Sequence, residues 1–383
     1  MESFEDIRPY RNNEVSEVVG ALLQNDDFYS ALAGLHFPKL KKRFPGLALR
    51  VIKRPINKKL KYVDTVEKVQ DLIASYMNRV FKKTTTSITE SGLSDLSKDR
   101  SYLFISNHRD IVFDPALISY FLHGTDHQTV EIAVGDNLLK KEFVSDLMRL
   151  NKSFVVKRSE VGRDKIKASR QLSEYMHQAI ADGNNVWIAQ KEGRAKDGLD
   201  KTDPTILKML HMSRRDGENK QSIMDCVNDL HIVPVSISYE FDPCDEMKAD
   251  ELAAKECGQI IEKTNESDVQ SITKSIEGFK GAIHVSFGTE ITATDSDVVA
   301  IADKIDQQII ANYKLYHSNY LAYDVLQKTD PTIGPALESL SSDVVISEEY
   351  RSEFLERYVS IPSKLKPFFL QMYANPVLSK LNL

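Results

Sequence analysis

The run Tyr102-Leu-Phe-Ile-Ser106 leads directly into Asn107-His108, and six residues after the histidine come Asp114 and Pro115. The run is strand-like. A strand there delivers Asn107 and His108 to its carboxyl end, the edge at which open α/β sheets place their chemistry. A histidine backed by a carboxylate can make a hydroxyl nucleophilic: the imidazole takes the proton, and the carboxylate fixes its tautomer and stabilises the imidazolium. No serine or cysteine nucleophile is needed if the substrate brings the hydroxyl. The same residues also fit a plainer description, in which His108 caps a strand and Asp114-Pro115 opens a helix running to Leu122.

Outward from this point, β-type runs recur at 129–134, 153–157, 185–190, 231–239 and 282–287. They alternate with helical patterns at 115–122, 140–150, 161–182, 221–228 and 250–262. That alternation predicts an α/β fold with a mostly parallel sheet and flanking helices. Residues 1–95 read as a small helical domain, closed by the polar run Lys83-Thr-Thr-Thr-Ser87 as a boundary. Residues 96–292 form the expected α/β domain, and 293–383 a C-terminal helical extension with a periodic segment from Asp295 to about Leu326. Pro362, Pro367 and Pro376 are expected to divide an apolar tail (Phe368, Phe369, Leu370, Met372, Tyr373) that packs on the core.

The chain has 383 residues, 42% hydrophobic and 28% charged, enough for one large domain and a smaller one. Cys226, Cys244 and Cys257 are an odd number without metal-type spacing, which argues against a disulfide framework or zinc site and fits a reducing compartment. The opening Met1-Glu-Ser-Phe-Glu-Asp-Ile is acidic and lacks an apolar core, and no stretch reaches 18 uninterrupted apolar residues, so neither a secretory signal nor a membrane span is expected. The net charge of −6 conceals an asymmetry, because Phe37 to Lys61 holds ten Lys or Arg and no acid. Apolar residues recur within it, including Phe44, Leu47, Val51 and Ile52, with Pro45 and Pro55 expected to break it into short pieces. The mixture suits anionic lipid headgroups with shallow apolar insertion. It also suits an acidic acyl carrier or a solvated basic face. Nucleic acid is not expected, since no aromatic-interleaved basic motif is present.

Three further polar clusters follow β-type runs: Phe154-Val-Val-Lys157-Arg158, then Glu192-Gly193-Arg194 after Val186-Trp-Ile-Ala189, then Pro234 within Ile232-Val-Pro-Val-Ser236. A guanidinium at Arg158 or Arg194 can grip a phosphate or carboxylate with two parallel hydrogen bonds. Lys157 can share that task, and Gly193 lets the backbone turn beside a ligand. Pro234 lacks a ladder donor and is expected at an edge or bulge. Trp187 is expected in the core, and His211, His231 and His284 show no metal-ligand spacing. No Gly-rich phosphate loop or Gly-x-Ser-x-Gly elbow is present.

In order, these clusters resemble the four sequence blocks of the glycerophospholipid acyltransferases, over residues of roughly 100 to 240. The resemblance implies His108 and Asp114 as the catalytic pair. It implies an acceptor-binding set drawn from Asn107, Arg109, Lys157, Arg158, Glu192, Gly193 and Arg194, with Pro234 on the acyl side. Two departures stand out. Five residues separate His108 from Asp114 where the family has four, and Lys191-Glu192-Gly193-Arg194 lacks the usual Pro and Thr. The extra residue leaves Asp110 as a rival partner for His108, with Asp114 preferred for its Asp-Pro-Ala setting.

The implied activity is O-acyl transfer from an acyl thioester, acyl-CoA or acyl carrier protein, to the hydroxyl of lysophosphatidate or glycerol-3-phosphate. No metal or bound cofactor is expected. A carboxylate-headed lyso amino-acid lipid is the alternative acceptor. A non-catalytic membrane-surface protein of the same fold and a thioester hydrolase are the rival classes. The expected location is cytoplasmic, peripheral at the inner face of an anionic membrane.

Overall fold

The computed structural model describes residues 4–217, 220–259, 265–340 and 346–383. Seven strands, most of them in parallel pairs, alternate with flanking helices: β1 (Thr85–Ser91), β2 (Leu103–Ser106), β3 (Val130–Gly135), β4 (Ser153–Val156), β5 (Asn185–Ala189), β6 (Ile232–Tyr239) and β7 (Gly281–Phe287). The chain divides into two compact units, Met1–Arg79 with Glu131–Tyr175, and Val80–Val130 with Met176–Leu383.

The larger unit carries strands in the order β1-β7-β6-β2-β5. Strand β2 lies between β5 and β6 and is parallel to both, with Leu103 level with Val186 on one side and Ile232 on the other. Its residues Leu103, Phe104 and Ile105 are completely buried, as are Val233, Val235 and Ile237 of β6. Strands covered on both faces need continuous apolar runs rather than alternation, which is why they stand out in the sequence. Strand β7 is antiparallel to β6 and parallel to β1.

Six of the seven strands fall where expected, and β1 does not. Its sequence Thr85-Thr-Ser-Ile-Thr-Glu-Ser91 looks like a polar boundary, yet β-branched threonines suit a strand. Only β7 is its neighbour in the sheet order, and most of its residues are exposed, so no apolar run marks it. Pro234 also departs from expectation, because β6 is a central strand. The Pro234 carbonyl accepts from Gly288 N on the β7 side, and the antiparallel ladder begins one residue later at Val235. N–H and C=O of one strand residue point the same way, so the missing donor falls where β7 is already leaving the sheet.

The helix expected at 250–262 runs instead from Asp245 to Glu256, and positions 260–262 lie outside the described residues, as do Met1 to Ser3. Helices at Pro204–Leu210 and Asn265–Glu277 were not expected. The periodic C-terminal segment is two helices, Val298–Asn312 and His317–Thr329. The apolar tail is one helix, Lys366–Leu381, rather than pieces divided by proline. Pro367 sits in its first turn, where no N–H is required, and Pro376 lies inside it on the buried face. Phe369, Leu370, Tyr373 and Val377 pack there with Leu321, Tyr323, Phe354 and Phe241.

In the smaller unit, helices Asn12–Leu22, Asp26–His36, Pro38–Arg43, Pro45–Leu60 and Glu142–Leu150 accompany the parallel pair β3 and β4. Val15, Val19, Phe28, Tyr29, Ala48, Ile52 and Phe143 share its core. The basic segment is less broken than its prolines suggest, since Pro45 opens a helix and Pro55 lies inside it. Ala48 and Ile52 turn inward, while Phe44 (53% exposed), Leu47 (51%) and Val51 (42%) remain on the surface.

Phe369→Ala removes a completely buried ring and is expected to cost about 3–5 kcal/mol of unfolding free energy. Denaturant titration of the purified variant measures that loss.

Candidate active site

Strand β2 ends at Ser106, β5 at Ala189 and β6 at Tyr239, and because the three run parallel these ends share one edge of the sheet. Two loops leave it. The first carries Asn107, His108, Arg109 and Asp110 into the helix Phe113–Gly124, and the second carries Gln190 to Lys201.

His108 Nδ1 lies 2.8 Å from Asp114 Oδ2. Asp114 is completely buried, and its Oδ2 also accepts from Arg109 N (2.7 Å) and Asp110 N (2.9 Å). Its Oδ1 accepts from the Tyr239 hydroxyl at 2.6 Å. A carboxylate is acceptor-only, so Nδ1 is the donor of the imidazole and Nε2 of the neutral ring carries the lone pair. The ring meets Trp187 edge-on, with centroids 5.7 Å apart. Trp187 is buried as expected, with its N–H donating to Ser106 Oγ at 2.9 Å. The extra residue in the loop is absorbed by a turn that Asp110 caps. Its Oδ1 accepts from Val112 N and Phe113 N, both at 2.8 Å, and its carboxylate accepts from Ser275 Oγ. Asp110 therefore faces Ser275, and it is Asp114 that meets the imidazole.

The neighbours of His108 are committed to the protein itself. Asn107 is completely buried and continues the ladder with its side chain: Nδ2 donates to Ile237 O, and Oδ1 accepts from Ile237 N. Its Nδ2 also reaches Asp200 Oδ2 at 3.1 Å. Arg109 donates to Asp200 Oδ2 (2.6 Å) and Gly198 O (3.1 Å), and its guanidinium lies 5.4 Å from the Tyr313 ring centroid. Burial acts to lower its pKa, but Asp200, through its charge and its hydrogen bond, together with Tyr313 and Asp242 outweighs that and holds it above the usual arginine range. Lys248 Nζ donates to the Arg109 carbonyl at 2.7 Å and pairs with Asp242.

The second loop is stitched to the first. Ala195 N donates to His108 O at 2.7 Å, next to Glu192, Gly193 and Arg194. Gly193 has φ +78°, in the left-handed region that favours glycine. Gly198 has φ +80°, and a Cβ there would lie 2.2 Å from Met372 O. Arg194 Nη1 donates to Ser271 Oγ at 2.8 Å, Lys191 Nζ donates to Leu199 O, and Lys196 pairs with Glu251. Pro234 is buried within β6.

Lys157 and Arg158 follow β4 in the smaller unit. Lys157 pairs with Asp6, and Arg158 N donates to Asp136 Oδ1 at 3.1 Å. The Arg158 side chain lies against Gly135, where an added Cβ would come within 3.0 Å of its Nε. Tyr239, Asp200, Lys248 and Ser275 were not singled out from the sequence. A tyrosine ending a strand, an acid in a polar loop and a lysine and a serine on helices are ordinary there, so nothing local marks them.

Residues 87–238 match the family model described as Acyltransferase, and this stretch is an acyltransferase domain. It runs from within β1 to one residue short of the end of β6. The chain is also similar to the crystal structure of the 1-acyl-sn-glycerophosphate (LPA) acyltransferase PlsC from Thermotoga maritima, at 13% identity and a TM-score of 0.38, over 76% of this chain and 95% of that one. No curated protein matches the chain. No helix among the described residues is long and apolar enough to cross a membrane.

The Arg109–Asp200 pair yields a stability test. Asp200→Ala strands a buried guanidinium and is expected to cost about 3–5 kcal/mol, whereas Arg109→Met/Asp200→Leu removes both charges and recovers most of that loss. Urea denaturation of both variants checks the difference.

Proposed function

We propose that the protein is an O-acyltransferase that moves a fatty acyl chain from an acyl thioester to the hydroxyl of an anionic glycerolipid precursor, lysophosphatidate or glycerol-3-phosphate. The observation that carries the reading is the 2.8 Å contact of His108 Nδ1 with the buried Asp114 carboxylate inside the acyltransferase stretch. In this reading His108 Nε2 takes the hydroxyl proton, and the hydroxyl oxygen bonds to the thioester carbonyl carbon. The tetrahedral oxyanion then collapses with cleavage of the C–S bond, and the thiolate leaves with the proton returned by the imidazolium. Asp114 orients the ring and offsets its charge in the transition state.

Glu192, Gly193 and Arg194 are assigned to the acceptor's anionic head, because their loop is bonded to His108 through Ala195. Fixing the acceptor this way supplies part of the barrier reduction by orientation. Asn107 and Arg109, whose side-chain bonds are made internally, shape the loop. For Lys157 and Arg158 an anion-holding role is proposed from their sequence context alone. An arginine holds a carboxylate as readily as a phosphate, so a carboxylate-headed lyso amino-acid lipid remains the second acceptor class.

Peripheral contact with an anionic bilayer is part of the same proposal. Leu47 and Val51 lie at helical spacing on the exposed side of Pro45–Leu60, preceded by the exposed Phe44, among Arg43, Arg50, Arg54 and Lys58. Shallow apolar insertion flanked by cations is the pattern of a helix lying in a membrane interface. Arg50→Glu/Arg54→Glu/Lys58→Glu is expected to weaken sedimentation with phosphatidylserine-containing vesicles by at least about 1 kcal/mol per residue. Neutral vesicles should bind neither form.

Turnover is tested with labelled acyl-CoA and acyl carrier protein against a panel of phosphate- and carboxylate-headed alcohols, with product read by mass spectrometry. His108→Ala is expected to lower kcat by about 10²–10⁴-fold. Asp114→Asn should fall comparably, while Asp110→Asn keeps a good part of the activity. Release of free acid that ignores every added alcohol would replace transfer with hydrolysis, and lipid binding without turnover would replace the enzyme with a binding protein.

A further inference from the structure

We infer that Tyr239 is a positioning residue for the His108–Asp114 pair, holding the carboxylate at the rotation that keeps its other oxygen on the imidazole. The inference deepens the acyl-transfer reading and rests on it for the kinetic part of its test. Three of the four donors to Asp114 meet the same oxygen: His108 Nδ1, Arg109 N and Asp110 N all lie within 2.9 Å of Oδ2. Held at one oxygen alone, a carboxylate can turn about its Cβ–Cγ bond and trade one oxygen for the other. Oδ1 is tied by the Tyr239 hydroxyl at 2.6 Å, which closes off that turn.

The tyrosine is well placed for the task. It is the last residue of β6, parallel to and hydrogen-bonded with β2, so the two side chains that donate to the carboxylate come from adjacent strand ends. Its ring is buried. Burial first, and the neighbouring Asp114 charge second, push its pKa well above the ordinary tyrosine range, which keeps the hydroxyl a donor at any working pH. Tyr239 also lies one residue beyond the stretch that matches the acyltransferase family, so the match by itself assigns it nothing. A hydroxyl that merely satisfied a buried acceptor would affect stability and leave the imidazole untouched. A positioning hydroxyl is coupled to it.

Tyr239→Phe keeps the ring and removes only the donor. It is expected to lower kcat by about 10- to 100-fold while KM stays within about twofold, the signature of an interaction needed in the transition state. In an Asp114→Asn background the same change should alter kcat by less than about twofold, because the group it positions is already gone. Proton NMR supplies a readout that needs no turnover. The downfield His108 Nδ1–H line, assigned by its loss in His108→Ala, should shift or broaden in Tyr239→Phe. Tyr323→Phe is the control, since that completely buried hydroxyl donates instead to Pro335 O, and it should leave the line in place.

An unchanged line, or an equal loss of kcat in both backgrounds, overturns the inference while acyl transfer stands. A line that responds in a protein that transfers no acyl chain upholds the positioning role and removes the acyl-transfer reading.

Discussion

The site depends on one buried carboxylate. Asp114 has no access to solvent, and removing a carboxylate from water is costly unless its oxygens are met by donors. Four donors meet them, two from the backbone of the preceding turn, one from the imidazole and one from Tyr239. The turn that supplies the backbone donors is the turn that presents His108. Satisfying the charge and aiming the histidine are therefore a single requirement, and the extra residue before Asp114 is accommodated because Asp110 caps the turn it creates.

Around that centre, segments beyond the acyltransferase stretch hold both loops. Lys248 bonds the Arg109 carbonyl, Ser275 bonds Asp110, and the Tyr313 ring lies under the Arg109 guanidinium. Asn375 donates to Asp197 O, and Gly198 lies so close to Met372 O that any side chain there would collide. Helices that looked in the sequence like an appended extension thus contribute to the shape of the site. Their apolar cluster, built on Phe354, Phe369 and Tyr373, fixes where those contacts fall.

Much of this is legible in the amino-acid sequence. Six strands could be read because strands covered on both faces, such as β2 and β6, must be continuously apolar. His108 and Asp114 could be paired because a histidine at a strand end with an Asp-Pro six residues beyond is chemically conspicuous. What escaped was of two kinds. Strand β1 has little burial and hence no apolar signature. The partners of the site, Tyr239, Asp200, Lys248 and Ser275, are brought to it by sheet register and helix packing across long sequence separations. The prolines misled for a related reason. Pro55 and Pro376 stay inside helices because burial of Ile52 on one helix and of Phe369, Tyr373 and Val377 on the other outweighs a lost hydrogen bond.

The density of buried charge behind the loop is not explained by stability. Lys248 pairs with Asp242, Arg357 pairs with Asp245 and also donates to the Asp242 carbonyl, Asp110 accepts from Ser275, and Lys280 packs 3.7 Å from the centre of the Phe113 ring. Burial draws the Lys280 pKa down to about 8 even with Asp110 nearby. It also raises that of Asp245 although Arg357 opposes the shift. Each of these shifts records a desolvation cost that pairing does not fully recover, and well-packed apolar residues would hold such elements together at least as firmly. What apolar packing does not supply is direction. A lysine that must reach the Arg109 carbonyl and a tyrosine that must reach Asp114 Oδ1 each accept one geometry, and a misplaced loop would leave them unpaired. The cost is then consistent with a requirement for one loop conformation, the one in which the imidazole and the carboxylate face each other.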